Sequence, residues 1–482
     1  MRAGRARAFI LLSAVAALAG CVSLAPRYER PASELPQAWS DAPAEGAAAP
    51  GERWWTLFDD AMLNALVDEA LAHNQDLKIA AARVEEARGL YRTAQGLRWP
   101  ALGASLHRDR TRFSQLSATP MPGTEDALDT RRATLDASYE LDFFSRLRDA
   151  SKAARAELLA TRAGEATVRI SLTAQVVQSY YALTALDAQV AATRRSLDLR
   201  VQDLDLQKVR YGAGLIGDFD LRRREAEVAA ARAQLPVLER ARAAEELALA
   251  VLLGRSPREI VDGKVELGAE RGEPPAPMVP DALPSELLLR RPDLVQAEQR
   301  LIAANALVGA ARAAFFPRIA LSGYYGSESA ALSDLFTGPA GTWQFAAGLT
   351  QPIFQGGRLF GELGAAHGVR AQALAGYQKS IQEAFRDVRL ALITQARSRE
   401  IFDAEGERLR ALEETLRLAR IRYDNGLSSQ LELLDAERNL LAAELNRIDA
   451  LRAQRAAVAD LVKALGGGWG GGQAPAARAA TQ

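Results

Sequence analysis

The chain carries one pattern twice, and that repetition limits what it can fold into more than any composition figure does. Leu71 to Pro100 lies without gaps on Leu288 to Pro317. Leu71/Leu288, Asp76/Asp293, Leu77/Leu294, Ala80/Ala297, Arg83/Arg300, Ala87/Ala304, Leu90/Leu307, Ala94/Ala311 and Pro100/Pro317 are identical. Farther along, VRYGAGLIGDFDLRRRE (Val209 to Glu225) returns as IRYDNGLSSQLELLDAE (Ile421 to Glu437). Alanine-rich helices align by chance, but a proline and a Tyr-x-x-Gly-Leu at fixed offsets do not. Two copies of one unit predict an interior built with pseudo-symmetry.

Each copy changes its period in the same order. Helical spacing runs from Trp54 to about Gln95, and Pro100 stops it. Leu102, Ala104 and Leu106 then alternate with polar residues, as do Ala133, Leu135, Ala137, Tyr139, Leu141 and Phe143. These are strands with one apolar face, joined by a Ser/Thr/Pro/Gly loop. In the second copy Pro317 ends a helix. Ile319, Leu321, Gly323 and Tyr325, then Trp343, Phe345, Ala347 and Leu349, give the matching hairpin. Four amphipathic strands suit outer-membrane strands of ~9–11 residues, yet fall short of the ~8 needed to close a barrel, so several chains must contribute. From Arg146 to Tyr211 and from Leu359 to Tyr423 there is no proline and little glycine. Each run predicts a helix of about 100 Å. Leu409, Leu412, Leu416, Ala419 and Tyr423 keep coiled-coil spacing. Gly214 and Asn425-Gly426 end the rods in tight turns, and second helices return from Asp220 and Leu431.

The N-terminus, MRAGRARAFILLSAVAALAGCVS, is a secretory signal: three arginines, then an apolar run too short to span a bilayer stably. Its ending, Leu18-Ala19-Gly20-Cys21, resembles a lipobox, which makes Cys21 the expected lipidation site. Cys21 is also the single cysteine, so no disulfide forms within the chain. Prolines spaced through the next thirty residues describe an extended arm. The division expected is a signal peptide (1–20), an arm (21–52), a first repeat (53–254, hairpin about 100–144) and a linker (255–284), followed by a second repeat (285–465, hairpin about 318–354) and a glycine-rich tail (466–482). With 60 basic and 60 acidic residues the chain makes no electrostatic case for nucleic acid; losing a leader with Arg2, Arg5 and Arg7 leaves a net −3. His73, His107 and His367 sit in separate elements, so no metal site, and no cofactor, is expected. Nucleophile-elbow, P-loop and dinucleotide fingerprints are absent, which argues against an enzyme.

Several segments together resemble the outer-membrane efflux protein family, the TolC/OprM-like channels, in the NodT-type lipoprotein branch that serves tripartite RND-type pumps. They are the lipobox, Trp54-Trp55-x-x-Phe58-x-Asp60-x-x-Leu63, Leu283-Pro284-Ser285-x-Leu287-Leu288-x-Arg290-Arg291-Pro292-Asp293, Phe316-Pro317, Pro352-Ile353-Phe354-x-Gly356-Gly357-Arg358, and Tyr423-x-x-Gly426 with Leu433-Leu434-Asp435-Ala436. The resemblance implies an α+β membrane channel: a homotrimer sharing a twelve-stranded outer-membrane barrel, four strands per chain, continued by a periplasmic helical barrel. It implies an exit duct for drugs or other small solutes, working with a periplasmic adaptor (membrane fusion protein) and an inner-membrane pump and set in outer-membrane lipid. It further implies a periplasmic gate in which Asp435, Glu432 and Asp220 supply carboxylates and Tyr423 constrains the last coiled coil. Some members place an arginine where this chain has Ser428, leaving Arg422 as an alternative donor. A type I protein-secretion duct and a lipid-anchored scaffold without a pore are the other readings; the amphipathic strands argue against the scaffold.

Overall fold

A computed structural model describes residues 22–31, 51–114, 127–267, 276–277 and 290–468. Cys21, the signal segment and the loop between the first two strands lie outside the described residues. A 3-10 turn at Trp54–Phe58 leads into α1 (Ala61–His73), α2 (Gln75–Gly96), β1 (Ala101–Thr111), β2 (Leu128–Leu141), α3 (Arg146–Gly212), α4 (Asp218–Leu252) and the short α5 (Pro257–Asp262). There follow α6 (Pro292–Ala313), β3 (Arg318–Ser329), β4 (Gly341–Thr350), α7 (Arg358–Asp424) and α8 (Gln430–Ala464). From α2 onward the order helix, strand, strand, long helix, returning helix occurs twice, with helices of 22, 67 and 35 residues in both copies. No helix among the described residues is long and apolar enough to cross a membrane.

The expected single helical stretch from Trp54 to Gln95 is broken twice. Asp59 takes a left-handed backbone (φ 50) and Asp60 then caps α1, its carboxylate accepting from the Met62 and Leu63 N–H groups at 2.9 and 3.1 Å. Asn74 leaves helical geometry (ψ 134). Its amide oxygen accepts from Leu77 N–H at 3.0 Å and its amide nitrogen donates to the Leu252 carbonyl at 2.9 Å. Asparagine competes with its own backbone for such bonds, so it ends helices that periodicity alone would continue.

Contacts divide the chain into two units. One comprises Met1–Ala32, Arg83–Arg162 and Gln296–Gln378. It holds the sheet, which is antiparallel throughout in the order β1-β2-β3-β4. Among the described residues β1 and β4 each pair on one side only. The register stacks apolar residues in rows on one face: Leu141, Ile319, Leu349; Tyr139, Leu321, Ala347; Leu102, Ala137, Gly323, Phe345; Ala104, Leu135, Tyr325, Trp343; Leu106, Ala133, Ser327, Gly341. These five rows extend about 27 Å along the strands. The other face is polar: Ser105 shares a hydroxyl bond with Thr134 (2.8 Å) and donates to Asp136 (2.9 Å), while Arg132 pairs with Glu328 and lies over the Tyr324 ring.

Residues 22–31 are strapped onto the helices of this same unit. Ser23 donates to the fully buried Asp149, the Asn305 amide to Pro26 O at 2.6 Å, and Arg312 to Leu24 O. Arg30 grips Glu298 through two bonds of 2.8 and 2.6 Å. Gly309 makes this approach possible, because a Cβ there would stand 2.6 Å from the Ala25 Cβ and 2.5 Å from Asp149 Oδ2.

The other unit comprises Ser33–Ala82, Ala163–Val295 and Lys379–Gln482. Its core gathers Trp54, Trp55, Leu63, Val67, Val177, Tyr181, Leu249, Leu253, Val458 and Leu461. The Arg291-Pro292-Asp293 segment has a structural task here. Arg291, tied to Asp293 at 2.7 Å, donates to the Ala464 carbonyl at the end of α8. A cation there satisfies an orphan carbonyl and the negative end of the helix dipole.

Candidate functional site

Both long helices end in the same turn. Leu215 N–H bonds back to Arg210 O (2.9 Å) and Gly214 N–H to Tyr211 O (2.9 Å); Leu427 N–H bonds to Arg422 O (2.8 Å) and Gly426 N–H to Tyr423 O (2.9 Å). Gly214 and Gly426 hold φ of 73 and 69. This pair of bonds is the left-handed glycine helix stop, and it explains why Tyr-x-x-Gly-Leu is the part of the repeat that survives. The apolar residue after the glycine ordinarily folds back on the helix. Here Leu215 and Leu427 are 74% and 72% exposed, and Phe219 and Leu431, one turn on, are exposed too. Each tip thus presents an apolar pair to its surroundings.

Asp220 and Glu432 occupy the same place in α4 and α8: the first turn, near the positive end of the helix dipole. Ser429 caps α8 by accepting from Glu432 N–H. Glu432 is exposed with Arg422 at 3.9 Å, and Arg422 also reaches toward Leu427 O. Asp435 is exposed and accepts from the Asn439 amide at 3.2 Å; Tyr423 is half-buried. Within one chain Asp435 is bonded inside its own helix and Glu432 faces Arg422 of α7, and among the described residues no bond joins one of the three acids to another. Ser428 Oγ is shielded from solvent and has no hydrogen-bond partner among the described residues.

One turn above the tips lies a buried ionic cluster that the sequence reading did not single out. Arg224, 3% exposed, contacts Asp203 at 3.0 Å and Glu437 at 3.7 Å. Glu227, 8% exposed, takes Arg200 at 3.3 Å and pairs with Arg438. Burial lowers the Arg200 pKa and raises that of Glu437, which Arg224 opposes. These contacts join α3 and α4 to α8 beside the apolar cluster of Leu204, Leu221 and Val228. The available signal was positional. Arg224 falls between Leu221 and Val228 on an apolar stripe, where a charge requires a partner.

A family model described as outer membrane efflux protein matches residues 66–255 and 283–467. Outer membrane protein OprJ of Pseudomonas aeruginosa is 37% identical over 468 residues, covering 95% of both chains. A Salmonella typhimurium protein described as probable outer membrane lipoprotein SilC is 34% identical over 463 residues, 95% of this chain and 98% of the relative. Among solved structures the CmeC outer membrane channel of Campylobacter jejuni superposes with a TM-score of 0.86 at 25% identity, covering 93% of this chain and 95% of that one.

Proposed function

The chain belongs to the outer membrane efflux protein family, and from that premise we propose that it is the exit duct of a tripartite pump, passively conducting small solutes past the outer membrane. The carrying observation is the four-stranded sheet with one apolar face and, among the described residues, two unpaired edges. In lipid every unpaired backbone group costs several kcal/mol, so both edges must find strands. Three copies in a ring remove all edges and give twelve strands. The five apolar rows, tilted about 40°, make a band of about 20 Å, close to the ~25 Å of membrane barrels. A scaffold without a pore needs no such sheet.

At a threefold axis, Asp435, Glu432 and Asp220 each recur three times, and with Tyr423 they form the gate in this reading. A periplasmic adaptor covers the apolar tips at Leu215, Phe219, Leu427 and Leu431, and an RND-type inner-membrane pump delivers the solute. Cys21 carries the lipid anchor, a reading supported by the lipoprotein name of the Salmonella typhimurium relative. The test is the purified protein in planar bilayers, with its mass measured in detergent. Discrete conductance from a species of three chains is expected. A monomer with native β content by circular dichroism and no conductance would remove the duct reading.

A further inference from the structure

We propose that the ends of β1 and β2 remote from the helices bind the phosphate of an outer-leaflet lipid headgroup, on the apolar side of the sheet. The inference rests on the duct reading, which puts the helices in the periplasm. All four helix connections join the sheet at one end, so the opposite end faces outward.

The register fixes the depth. One row beyond Leu106 and Ala133, Arg108 stands directly opposite Arg131, and Arg110 opposite Asp129 one row farther. One row is two residues, about 7 Å along a strand. The aromatic pair Tyr325 and Trp343 lies two rows below the arginines, where interfacial aromatic girdles sit. The arginines therefore meet the headgroup layer.

Like charges directly opposite on one sheet face repel. Among the described residues Asp129 is the single carboxylate on this face at that height, shared between Arg108 at 3.4 Å and Arg131 at 3.9 Å. Arg131 is further tied to the Ala330 carbonyl, which fixes its guanidinium in place. Arg108 is 61% exposed and Arg110 is exposed. Among the described residues of this face, three arginines against one aspartate leave a surplus of two positive charges. On the opposite face at this height Arg132 is matched by Glu328, so the surplus belongs to the apolar side alone. Guanidinium groups are weakly hydrated and grip phosphate through two parallel bonds. A lipid phosphate at this level meets that chemistry while its acyl chains lie along the apolar rows.

The test uses the full-length protein extracted in detergent and native mass spectrometry. The probes are a bis-phosphorylated disaccharide lipid, the same lipid dephosphorylated, and inorganic phosphate as competitor. Wild type should retain the phosphorylated lipid preferentially. An Arg108→Ser, Arg110→Ser double variant, which spares the anchored Arg131, should bind it about thirtyfold more weakly. Arg132→Gln, on the other face, should bind as wild type. Equal retention of the dephosphorylated lipid, unchanged binding in the double variant, or loss in Arg132→Gln would overturn the proposal. Complete displacement by millimolar phosphate would also do so, since the site would then take a free anion. Conductance measured on the same preparations separates the two readings: a conducting protein indifferent to lipid phosphate loses the lipid site alone, and a protein without a pore loses both.

Discussion

Glu227 lies between Arg200 and Arg438, and removing it takes from the largely buried Arg200 its ion-pair partner at 3.3 Å, leaving only the charge of Glu437 nearby. Breaking a buried pair from one side costs about 3 kcal/mol, the lower part of the usual range because Arg438 stays solvated. Glu227→Ala should therefore lower the denaturant midpoint and loosen α8 against α4, seen as faster amide exchange near Ala443. Glu437 supplies a pH signature. Burial raises its pKa above the ordinary 4.5, so the folded chain binds this proton more tightly than the unfolded chain. The charged form is a penalty above the folded pKa, relieved as pH falls through that value toward 4.5. Over that window Glu437→Gln should flatten the gain in thermal midpoint that wild type shows on acidification; parallel curves would refute it. At the proposed gate, like charges facing each other across a narrow axis would repel by about 4 kcal/mol per close pair at an effective dielectric near 20. The Asp435→Ala, Glu432→Ala double variant should lose much of its cation preference in single-channel recordings, and unchanged reversal potentials would remove these residues from the gate. The sequence places those acids beside the repeated turn, and their gate role comes from the family resemblance. The Arg224 and Glu227 cluster was not legible, because a charge reads as a solvated face until the packing partner of its helix is known.

At the scale of elements, most boundaries could be read from the chain. Proline, glycine and a switch of period mark where backbone hydrogen bonding must change, so the strands and both long helices emerge within a few residues. The break at Asn74 could not be read, since its cause is the Leu252 carbonyl, distant in sequence. Nor could the strap at residues 22–31. Prolines gave its extended shape, whereas its anchors on Asp149, Asn305 and Glu298 depend on tertiary approach. Gly309→Ala tests that approach. The added methyl meets the Ala25 backbone nitrogen at 2.7 Å, so the strap must lift. Overpacking of this kind costs about 1–3 kcal/mol. Limited proteolysis should then cut near Arg27 in the variant and spare it in wild type.

For the whole molecule, anchoring has two independent sources in this reading: two acyl chains on Cys21 and a closed barrel. Cys21→Ser should abolish palmitate labelling and leave the signal uncleaved by the lipoprotein peptidase, yet keep the protein in the outer-membrane fraction. A soluble variant would mean that the sheet does not span. The equality of helix lengths, 67 and 67, then 35 and 35, has a consequence for descent and for engineering. Each residue of an α-helix adds about 1.5 Å and turns all that follows by about 100°. A codon lost from α3 alone would shorten one rod and swing its packing stripe off its neighbour, and no substitution in α7 could restore the match. An insertion or deletion in one long helix should therefore be tolerated only when an equal change in the other keeps the two lengths matched.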